Sequence, residues 1–281
     1  MSEADAKIAM VRQRWDDAAV RYTETANKRL TLQCAREMHA HLALDKAHSV
    51  LEVAAGSGLG SLDIIDRMMS DATGDTMAKK QLVVTDLSSA MVGLATETLR
   101  TSSSEHLDVQ VQEANGQDLS EISTGSKDRF VSNLCLQLTP DPDAMLHEAK
   151  RVLAPGGIAG FTIWGRPELS GIFSIDSAIS KELALGDGAE NPNFALGKDL
   201  VALRQRFAVA GFAQVRIWPF LCALELFGDG ENAKFLQDRY VVENDELRAQ
   251  RRAVGQRLGD EWLATKGLPI GLETYIIVAK A

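Results

Sequence analysis

The chain has 281 residues, of which 45% are hydrophobic and 25% are charged, as in an ordinary globular protein. Its net charge of −9, without a basic stripe, argues against a nucleic-acid partner, because phosphate binding requires clustered lysine and arginine. No apolar stretch reaches the roughly 20 residues of a membrane span, and the charged N-terminus does not resemble a leader. We therefore expect a cytoplasmic protein.

Cysteine and histidine usage suggests neither a disulfide framework nor a metal centre. The three cysteines, Cys34, Cys135 and Cys222, are far apart and odd in number, and the five histidines form no ligand pattern. We expect reduced, buried thiols and no bound metal.

Residues 1–45 are predicted to form a helical extension before the main domain. Residues 7–44 carry two amphipathic stretches, and the first places Ile8, Val11, Trp15 and Ala19 on one stripe. From residue 46 to 281, strand and helix patterns alternate, which predicts an α/β domain. The first five strands are predicted at 49–54, 81–86, 107–113, 128–135 and 157–164, and the helices between them at 59–69, 88–101, 117–122 and 141–154, the last ending at a Pro-Gly-Gly turn.

Two stretches interrupt this alternation. The polar residues 70–80 are predicted to form a surface loop. Residues 165–197 follow the fifth strand and contain a helical stretch at 172–185, which we interpret as a lid over the carboxyl ends of the strands. A surface excursion without a functional role is the alternative.

The remaining elements complete the predicted sheet. They are a helix at 197–211, a strand at 213–227 bent at Pro219, a helix at 243–264 and a last strand at 273–280. The last strand is predicted to pair antiparallel with 213–218. The predicted fold is therefore a doubly wound, Rossmann-like sheet of seven mostly parallel strands with an antiparallel last strand.

A glycine-rich turn after the first strand is the strongest functional signal. The apolar strand runs directly into Gly56, Gly58 and Gly60, where a backbone without side chains turns sharply and can approach a ligand. The spacing is G-x-G-x-G, whereas the dinucleotide fingerprint requires G-x-G-x-x-G to seat a pyrophosphate. The turn therefore favours a nucleotide-like ligand that has no pyrophosphate.

An acidic residue ends the second predicted strand. Asp86 is expected beside the glycine turn, because the carboxyl ends of parallel strands share one edge of the sheet. Its carboxylate can accept hydrogen bonds from the hydroxyls of a ribose. Alternatively, Asp86 caps the following helix, whose first turn favours negative charge.

Five segments in order resemble the class I S-adenosylmethionine-dependent methyltransferases, most closely the ubiquinone/menaquinone C-methyltransferase branch. The segments are residues 50–58, 84–91, 114–119, 128–142 and 148–157. Residues 15–22 also resemble the helix that precedes the core in this family. The similarity covers residues 10–165 well and the remainder loosely. It implies that S-adenosylmethionine donates a methyl group to a small-molecule acceptor.

The resemblance also implies which residues hold the cofactor. Glu52 and the backbone of Ala54, Gly56 and Gly58 would hold the methionine end, and Asp86 would bind the ribose hydroxyls. Leu87 and Met91 would pack near the adenine. Asn115 and Gly116, after the third strand, would also face the adenine. Ser132 and Asn133, at the end of the fourth strand, would form a floor beside the methyl group.

Three positions depart from the family pattern. Ala54 stands where a glycine is usual, Asn115 replaces the commoner aspartate, and Gln137 replaces a frequent histidine after the fourth strand. An amide oxygen can accept a bond from the adenine amino group, but the amide NH₂ must point elsewhere. If the histidine acts as a base in relatives, this chain lacks that base.

The residues that carry the methyl transfer are less clearly marked. Such a transfer is an in-line displacement, so the enzyme mainly aligns the nucleophile and excludes water. Tyr22, which otherwise packs beside Trp15, and Gln137 and Trp164 are the candidates for the acceptor side. Glu225 is a candidate base that strand alternation equally places in solvent.

Two alternatives remain beside a small-molecule methyltransferase. One is a non-catalytic module of the same fold that acts through a protein partner, which the missing base and Asn115 keep open. The other is a nucleotide-dependent oxidoreductase, which the early third glycine disfavours. The sequence identifies neither the acceptor nor the oligomeric state.

Overall fold

The computed structural model of the chain describes residues 2–70, 78–224 and 244–281. Its strands are β1 Ser49–Val53, β2 Lys80–Asp86, β3 Leu107–Glu113, β4 Lys127–Asn133, β5 Leu153–Trp164, β6 Gln214–Ala223 and β7 Gly271–Lys280. They form one sheet in the order β3-β2-β1-β4-β5-β7-β6.

The strand directions confirm the predicted mixed sheet. The pairs β1–β2, β1–β4, β2–β3 and β4–β5 are parallel. Backbone bonds join Ala213 to Lys280 and Leu224 to Ile270, so β7 runs antiparallel to β6. The order in which the chain adds strands changes direction at β1, which lies between β2 and β4. Such a change leaves a crevice beside the carboxyl end of the strand, where sheets of this kind bind ligands.

Helices flank the strands. They are α1 Glu3–Tyr22, α2 Leu32–Ala40, α3 Leu59–Met69, α4 Ser89–Thr98, α5 Pro142–Val152, α6 Gly171–Glu182, α7 Leu200–Val209 and α8 Asp245–Lys266. A π-helix, Thr23–Thr31, joins α1 to α2 without a break. Among the described residues, no helix combines the length and the apolar character needed to cross a bilayer.

The predicted helix at 117–122 is wrong, because this segment bonds to other parts of the chain. Asn115 and Asp118 form an isolated bridge, and the Leu119 N–H donates to Glu148 Oε2 at 2.6 Å. Arg151 Nη2 donates to the Leu119 carbonyl at 2.7 Å. These side chains of α5 satisfy backbone groups that a helix would have paired internally.

The Pro-Gly-Gly stretch also differs from its prediction. It was expected to separate a helix from a strand, but β5 begins at Leu153, before Pro155. The pairing with β4 jumps from Lys127–Leu153 to Arg129–Ile158, so the extra residues of β5 bulge out of the ladder. Gly156 has a φ of 78°, which a residue with a side chain adopts only with strain.

The N-terminal helices are fixed to the strands by close packing and by charge. A Cβ added at Gly160 on β5 would lie only 2.8 Å from the Leu42 side chain. Arg129 donates to the carbonyls of Leu42 and Ala43, and Lys80 Nζ donates to the Asp45 carbonyl at 2.7 Å. The backbone after α2 is therefore held by cations on β4 and β2.

The described residues fall into two compact units. The first comprises residues up to Ile163 with Asp199–Trp218 and Ile276–Ala281, and its core includes the rings of Phe130, Phe161 and Phe207, which pack in tilted and edge-to-face contacts. The second comprises Trp164–Lys198 and the described part of Pro219–Tyr275. Its helices α6 and α8 are joined by a buried ion pair between Asp176 and Arg251.

Candidate active site

A cavity opens within the first unit at the carboxyl ends of β1, β2 and β4. Its wall is formed by one face of α1, the turn after β1, the end of β2, the residues after β3 and the exit from β4. The lining residues are Ile8, Val11, Trp15, Tyr22, Val53, Ala54, Gly56, Asp86, Leu87, Met91, Ala114, Asn115, Gly116, Gln117, Asn133, Leu134, Cys135, Leu138, Thr139 and Pro140.

The turn after β1 takes the left-handed backbone conformation three times. Ala54 and Gly56 both have φ near 59°, and Gly58 has a φ of 78°. At Gly58 an added Cβ would lie 3.2 Å from the Ala95 backbone, so glycine also permits the close approach of α4. Ala54 and Gly56 line the cavity, whereas Gly58 packs away from it.

Asp86 connects the two loops at the cavity wall. Its Oδ2 accepts the Gly56 N–H at 2.8 Å, and its Oδ1 accepts the Ser88 N–H at 2.9 Å. An ionised carboxylate offers about four acceptor sites, so two remain for hydroxyl donors. Burial raises the pKa of Asp86, and hydrogen bonds from backbone N–H groups, foremost those of Ser88 and Gly56, oppose that rise.

Glu52 lies on the neighbouring strand β1, and its carboxylate accepts a side-chain hydroxyl rather than backbone N–H groups. Its side chain is buried, and Oε2 accepts a short 2.5 Å hydrogen bond from Ser61 Oγ in the first turn of α3. Burial raises the pKa of Glu52 to about 7. Glu52 is not part of the described cavity wall, so its predicted contact with the methionine end stays a prediction.

The residues after β3 form the part of the wall beside Asp86, whose carbonyl accepts the Ala114 N–H at 2.9 Å. Asn115 Oδ1 accepts the Gln117 N–H at 3.1 Å, which fixes the side chain in a local turn. At Gly116 an added Cβ would lie 2.9 Å from the Val53 side chain. Glycine therefore allows this loop to pack closely against the end of β1.

Of the two residues predicted at the end of β4, only Asn133 lies in the described cavity wall. Asn133 lines the cavity, and its Oδ1 accepts a 2.6 Å bond from Thr162 Oγ1. Ser132 lies outside the described wall, and its buried Oγ has no partner among the described residues. Leu134 follows with a φ of 53°, and its N–H also donates to Thr162 Oγ1. Thr162 thus holds a strained turn beside the cavity.

Gln137 does not replace the missing histidine in the cavity wall. Its Nε2 donates to the Leu134 carbonyl at 2.9 Å, within the short helical turn Leu136–Leu138. Its Oε1 is buried without a partner among the described residues. The side chain therefore supports the turn after β4.

The two aromatic candidates lie in different surroundings. Tyr22 lines the cavity, forms an edge contact with Trp15 at 5.1 Å between ring centroids, and its hydroxyl lies 3.2 Å from Thr31 Oγ1. Trp164 lies in the second unit, where it packs against Phe173 and Phe194. The candidate base, Glu225, lies outside the described residues.

One family match covers the strands around this cavity. Residues 51–161, which run from β1 into β5, match the family described as "Methyltransferase domain". The chain is therefore similar to this family over that region. No curated protein matches the chain in sequence.

Several solved structures share the fold of this chain. A proposed methyltransferase of Bacillus halodurans superposes with a TM-score of 0.53 at 14% identity, covering 88% of this chain and 97% of that one. A complex of the Haloferax volcanii Trm112 methyltransferase activator with a proposed methyltransferase gives 0.55 at 18%, covering 96% and 97%. The [4+2]-cyclase SpnF gives 0.52 at 16%, covering 89% and 80%. At these identities the likeness establishes the fold alone.

The cavity wall contains residues that were not predicted as ligands. Ile8, Val11 and Trp15 were predicted as an amphipathic stripe, but they line the cavity and remain only half-buried. Cys135 also lines it, although it was predicted only as a buried thiol. The signal for α1 was present in the resemblance of residues 15–22 to a helix preceding the core, whereas no sequence signal distinguished Cys135.

The described cavity wall contains few groups that exchange protons. Its titratable side chains are Asp86, Tyr22 and Cys135. Burial and the nearby Asp86 raise the pKa of the Cys135 thiol to about 12, so it stays protonated and cannot act as a base at neutral pH. Within the described ranges, no cluster of three or more histidine, cysteine or acidic side chains could hold a metal.

Proposed function

We propose that the chain is an S-adenosylmethionine-dependent methyltransferase that acts on a small-molecule acceptor. The observation that carries the proposal is the joining of Asp86 to the Gly56 N–H inside one cavity. This arrangement offers a ribose acceptor beside a turn that suits a ligand without a pyrophosphate. The methyltransferase-domain match over 51–161 supports the same cofactor.

The residues present fit this cofactor along its length. Asp86 would accept the ribose hydroxyls, the wall at Gly116 would face the adenine, and the backbone from Ala54 to Gly56 would approach the methionine end. The bound cofactor would supply an electrophilic methyl group on a sulfonium. The apolar face of α1 would exclude water from the reacting groups.

The scarcity of bases in the described wall restricts the acceptor. A carboxylate or thiolate is nucleophilic without losing a further proton, whereas a phenol or carbon acid often requires a base. We therefore propose an acceptor that is already nucleophilic near neutral pH. The closer assignment to the ubiquinone/menaquinone branch, the lid role of residues 165–197 and a cytoplasmic location rest on the sequence patterns.

A second candidate is a cofactor-binding protein of this fold that does not transfer a methyl group. The scarcity of proton-exchanging groups in the described wall favours it, because such a protein requires no base. One similar fold belongs to a [4+2]-cyclase, which illustrates that fold alone does not determine chemistry.

Calorimetric titration tests the cofactor first. The protein is titrated with S-adenosylmethionine and S-adenosylhomocysteine, with NADH and NADPH as controls, and the series is repeated with Asp86→Ala. We expect micromolar binding of the two sulfur ligands, no binding of the dinucleotides, and loss of the sulfur ligands in the variant. Failure of the wild-type protein to bind either sulfur ligand would contradict both candidates.

An acceptor screen then separates the two candidates. Formation of S-adenosylhomocysteine is followed with pools of carboxylate, thiol, amine and phenol acceptors. Turnover that disappears in Asp86→Ala supports the methyltransferase. Tight cofactor binding without turnover on any pool supports the non-catalytic candidate.

A further inference from the structure

We propose that Asp16 is a positioning residue that holds α1 closed over the cofactor cavity by bonding to Ser88. This inference rests on the proposed function, because it assigns a role to α1 in retaining the cofactor. Asp16 was not among the residues that the sequence singled out.

The helix α1 covers the cavity with apolar side chains. Ile8, Val11, Trp15 and Tyr22 lie at spacings that place them on one face of the helix, and all four line the cavity. They stay half-buried because the cavity, rather than packed protein, lies against part of their surface. A ligand in the cavity would bury this apolar face, so cofactor and closed α1 would stabilise each other.

Asp16 is the residue that joins this cover to the start of α4. Its Oδ1 accepts the Ser88 hydroxyl at 2.6 Å and the Ala90 N–H at 3.2 Å. A carboxylate at a helix N-terminus is also favoured by the helix dipole. The bond from Ser88 holds the pKa of Asp16 below its usual range, which fits an ionised acceptor.

Ser88 connects the same contact to the predicted ribose carboxylate. While its hydroxyl donates to Asp16, its backbone N–H donates to Asp86 Oδ1 at 2.9 Å. The hydroxyl also accepts the Met91 N–H at 3.1 Å, so Ser88 caps α4. Opening α1 would release Ser88 from Asp16 and loosen the residue that orients Asp86. Closure and ribose binding are therefore coupled through one residue.

A second contact between α1 and the sheet is weaker. Arg12 forms an ion pair with Glu113 at the end of β3, at 2.9 Å, and both side chains are 44% exposed. Ion pairs at such exposed positions add little to stability. Asp16 is thus the stronger restraint on the middle of α1.

The test measures the release of S-adenosylhomocysteine from three variants by stopped-flow displacement. Asp16→Ala removes both contacts with α4. Asp16→Asn keeps an acceptor oxygen for Ser88 and Ala90 and should rescue retention. Asp17→Ala is the matched control, because Asp17 is the neighbouring aspartate of α1 and accepts only from Gln13 in the described contacts.

We expect Asp16→Ala to release the ligand about tenfold faster, since a hydrogen bond to a charged group typically contributes this much or more. Asp16→Asn should remain within about threefold of the wild-type rate, and Asp17→Ala within about twofold. Equal release rates in Asp16→Ala and Asp17→Ala would overturn the proposal, as would failure of Asp16→Asn to restore the rate.

Hydrogen exchange of α1 without ligand distinguishes this proposal from the proposed function. Faster exchange over residues 3–22 in Asp16→Ala than in Asp17→Ala supports the proposed restraint of α1 by Asp16 even before a ligand is added. Equal exchange in the two variants overturns it. If the wild-type protein does not bind S-adenosylhomocysteine, the proposed function fails, and with it the coupling of Asp16 to ribose binding.

Discussion

The ends of β1 and β2 present two buried carboxylates in different settings. Glu52 on β1 is 3% exposed and Asp86 on β2 is 9% exposed, and the family resemblance implied a cofactor contact for both. Glu52 receives one side-chain hydroxyl, from Ser61, and lies outside the described cavity wall. Asp86 receives two backbone N–H groups and lines the cavity.

The difference shows that burial and sequence position do not suffice to identify a ligand-binding acid. Backbone N–H groups have fixed positions, so those of Gly56 and Ser88 oppose the rise in pKa that burial causes at Asp86 and still leave acceptor sites free. Glu52 is fully surrounded, and burial favours its protonated form near neutral pH. One carboxylate is thus prepared for a ligand, whereas the other joins β1 to α3.

The largest expected effect on ligand binding comes from a matched pair of amide substitutions. Asp86→Asn should weaken S-adenosylhomocysteine binding about 50-fold, because the NH₂ group cannot accept one of the two ribose hydroxyls, and a hydrogen bond to a charged group typically contributes about 1.5–3 kcal/mol. Glu52→Gln removes a charge one strand away and should change affinity less than about threefold. Calorimetric titration of both variants measures the two effects.

Thermal unfolding of both variants serves as the control for this pair. The amide introduced by Asp86→Asn would direct an NH₂ group toward a backbone N–H, so some loss of stability is expected there as well. Binding is therefore measured well below the unfolding transition. If Glu52→Gln weakens binding as much as Asp86→Asn does, Glu52 holds the cofactor directly and the contrast between the two strand ends fails.

The second effect concerns the pH dependence of stability. The pKa of Glu52 is raised to about 7 in the folded chain, from an ordinary value of about 4.5. Between these values the folded state binds the extra proton, so the contribution of Glu52 is fully present below pH 4.5 and is lost as the pH rises through 7. The stability of wild type relative to Glu52→Gln should fall by about 3 kcal/mol from about pH 4.5 to about pH 8.

Urea unfolding of both proteins at several pH values measures this difference. The glutamine side chain in Glu52→Gln stays neutral throughout and retains an oxygen for the Ser61 hydroxyl, so other titrating groups cancel in the comparison. A difference that does not change from about pH 5 to about pH 8 would mean that Glu52 titrates alike in the folded and unfolded chains. Its burial would then have no electrostatic consequence.

The sheet could be predicted from the sequence because its strands are short apolar runs with clear boundaries. The predicted strands at 49–54, 81–86 and 107–113 agree with β1, β2 and β3 to within a residue. The segment at 117–122 could not be predicted, because its backbone partners, Glu148 and Arg151, are distant in sequence. Local propensity does not report such long-range bonds.

The cavity could be predicted only in part, for a related reason. Asp86 and Gly56 follow from the positions of strand ends and glycines. The role of α1 could not be derived, because an apolar stripe looks the same whether it faces a core or a ligand. Ile8, Val11 and Trp15 are distinguished only by the space beside them, which is a property of the folded chain.

A smaller effect is expected from relieving backbone strain at the end of β1. Ala54 has a φ of 59°, where a side chain costs roughly 1–2 kcal/mol. Ala54→Gly removes that cost but adds backbone entropy to the unfolded chain, so a net gain of about 0.5–1 kcal/mol is expected. Urea unfolding measures it, with Ala55→Gly as the control, because Ala55 is not in this conformation and should lose stability. A loss in both variants would indicate that Ala54 is not strained.

The smallest effect tests the wall formed by the residues after β3. Asn115 uses its Oδ1 for the Gln117 N–H, and an aspartate could keep that bond while presenting a second acceptor in place of the NH₂ group. Asn115→Asp should therefore tighten S-adenosylhomocysteine binding about threefold, provided that the adenine amino group faces this residue. The analogue S-inosylhomocysteine, which has a carbonyl oxygen in place of that amino group, should instead bind more weakly to the variant, because two acceptors would face each other. A similar change for both ligands would mean that residue 115 does not read the adenine edge, and that the ribose contact at Asp86 orients the nucleoside without it.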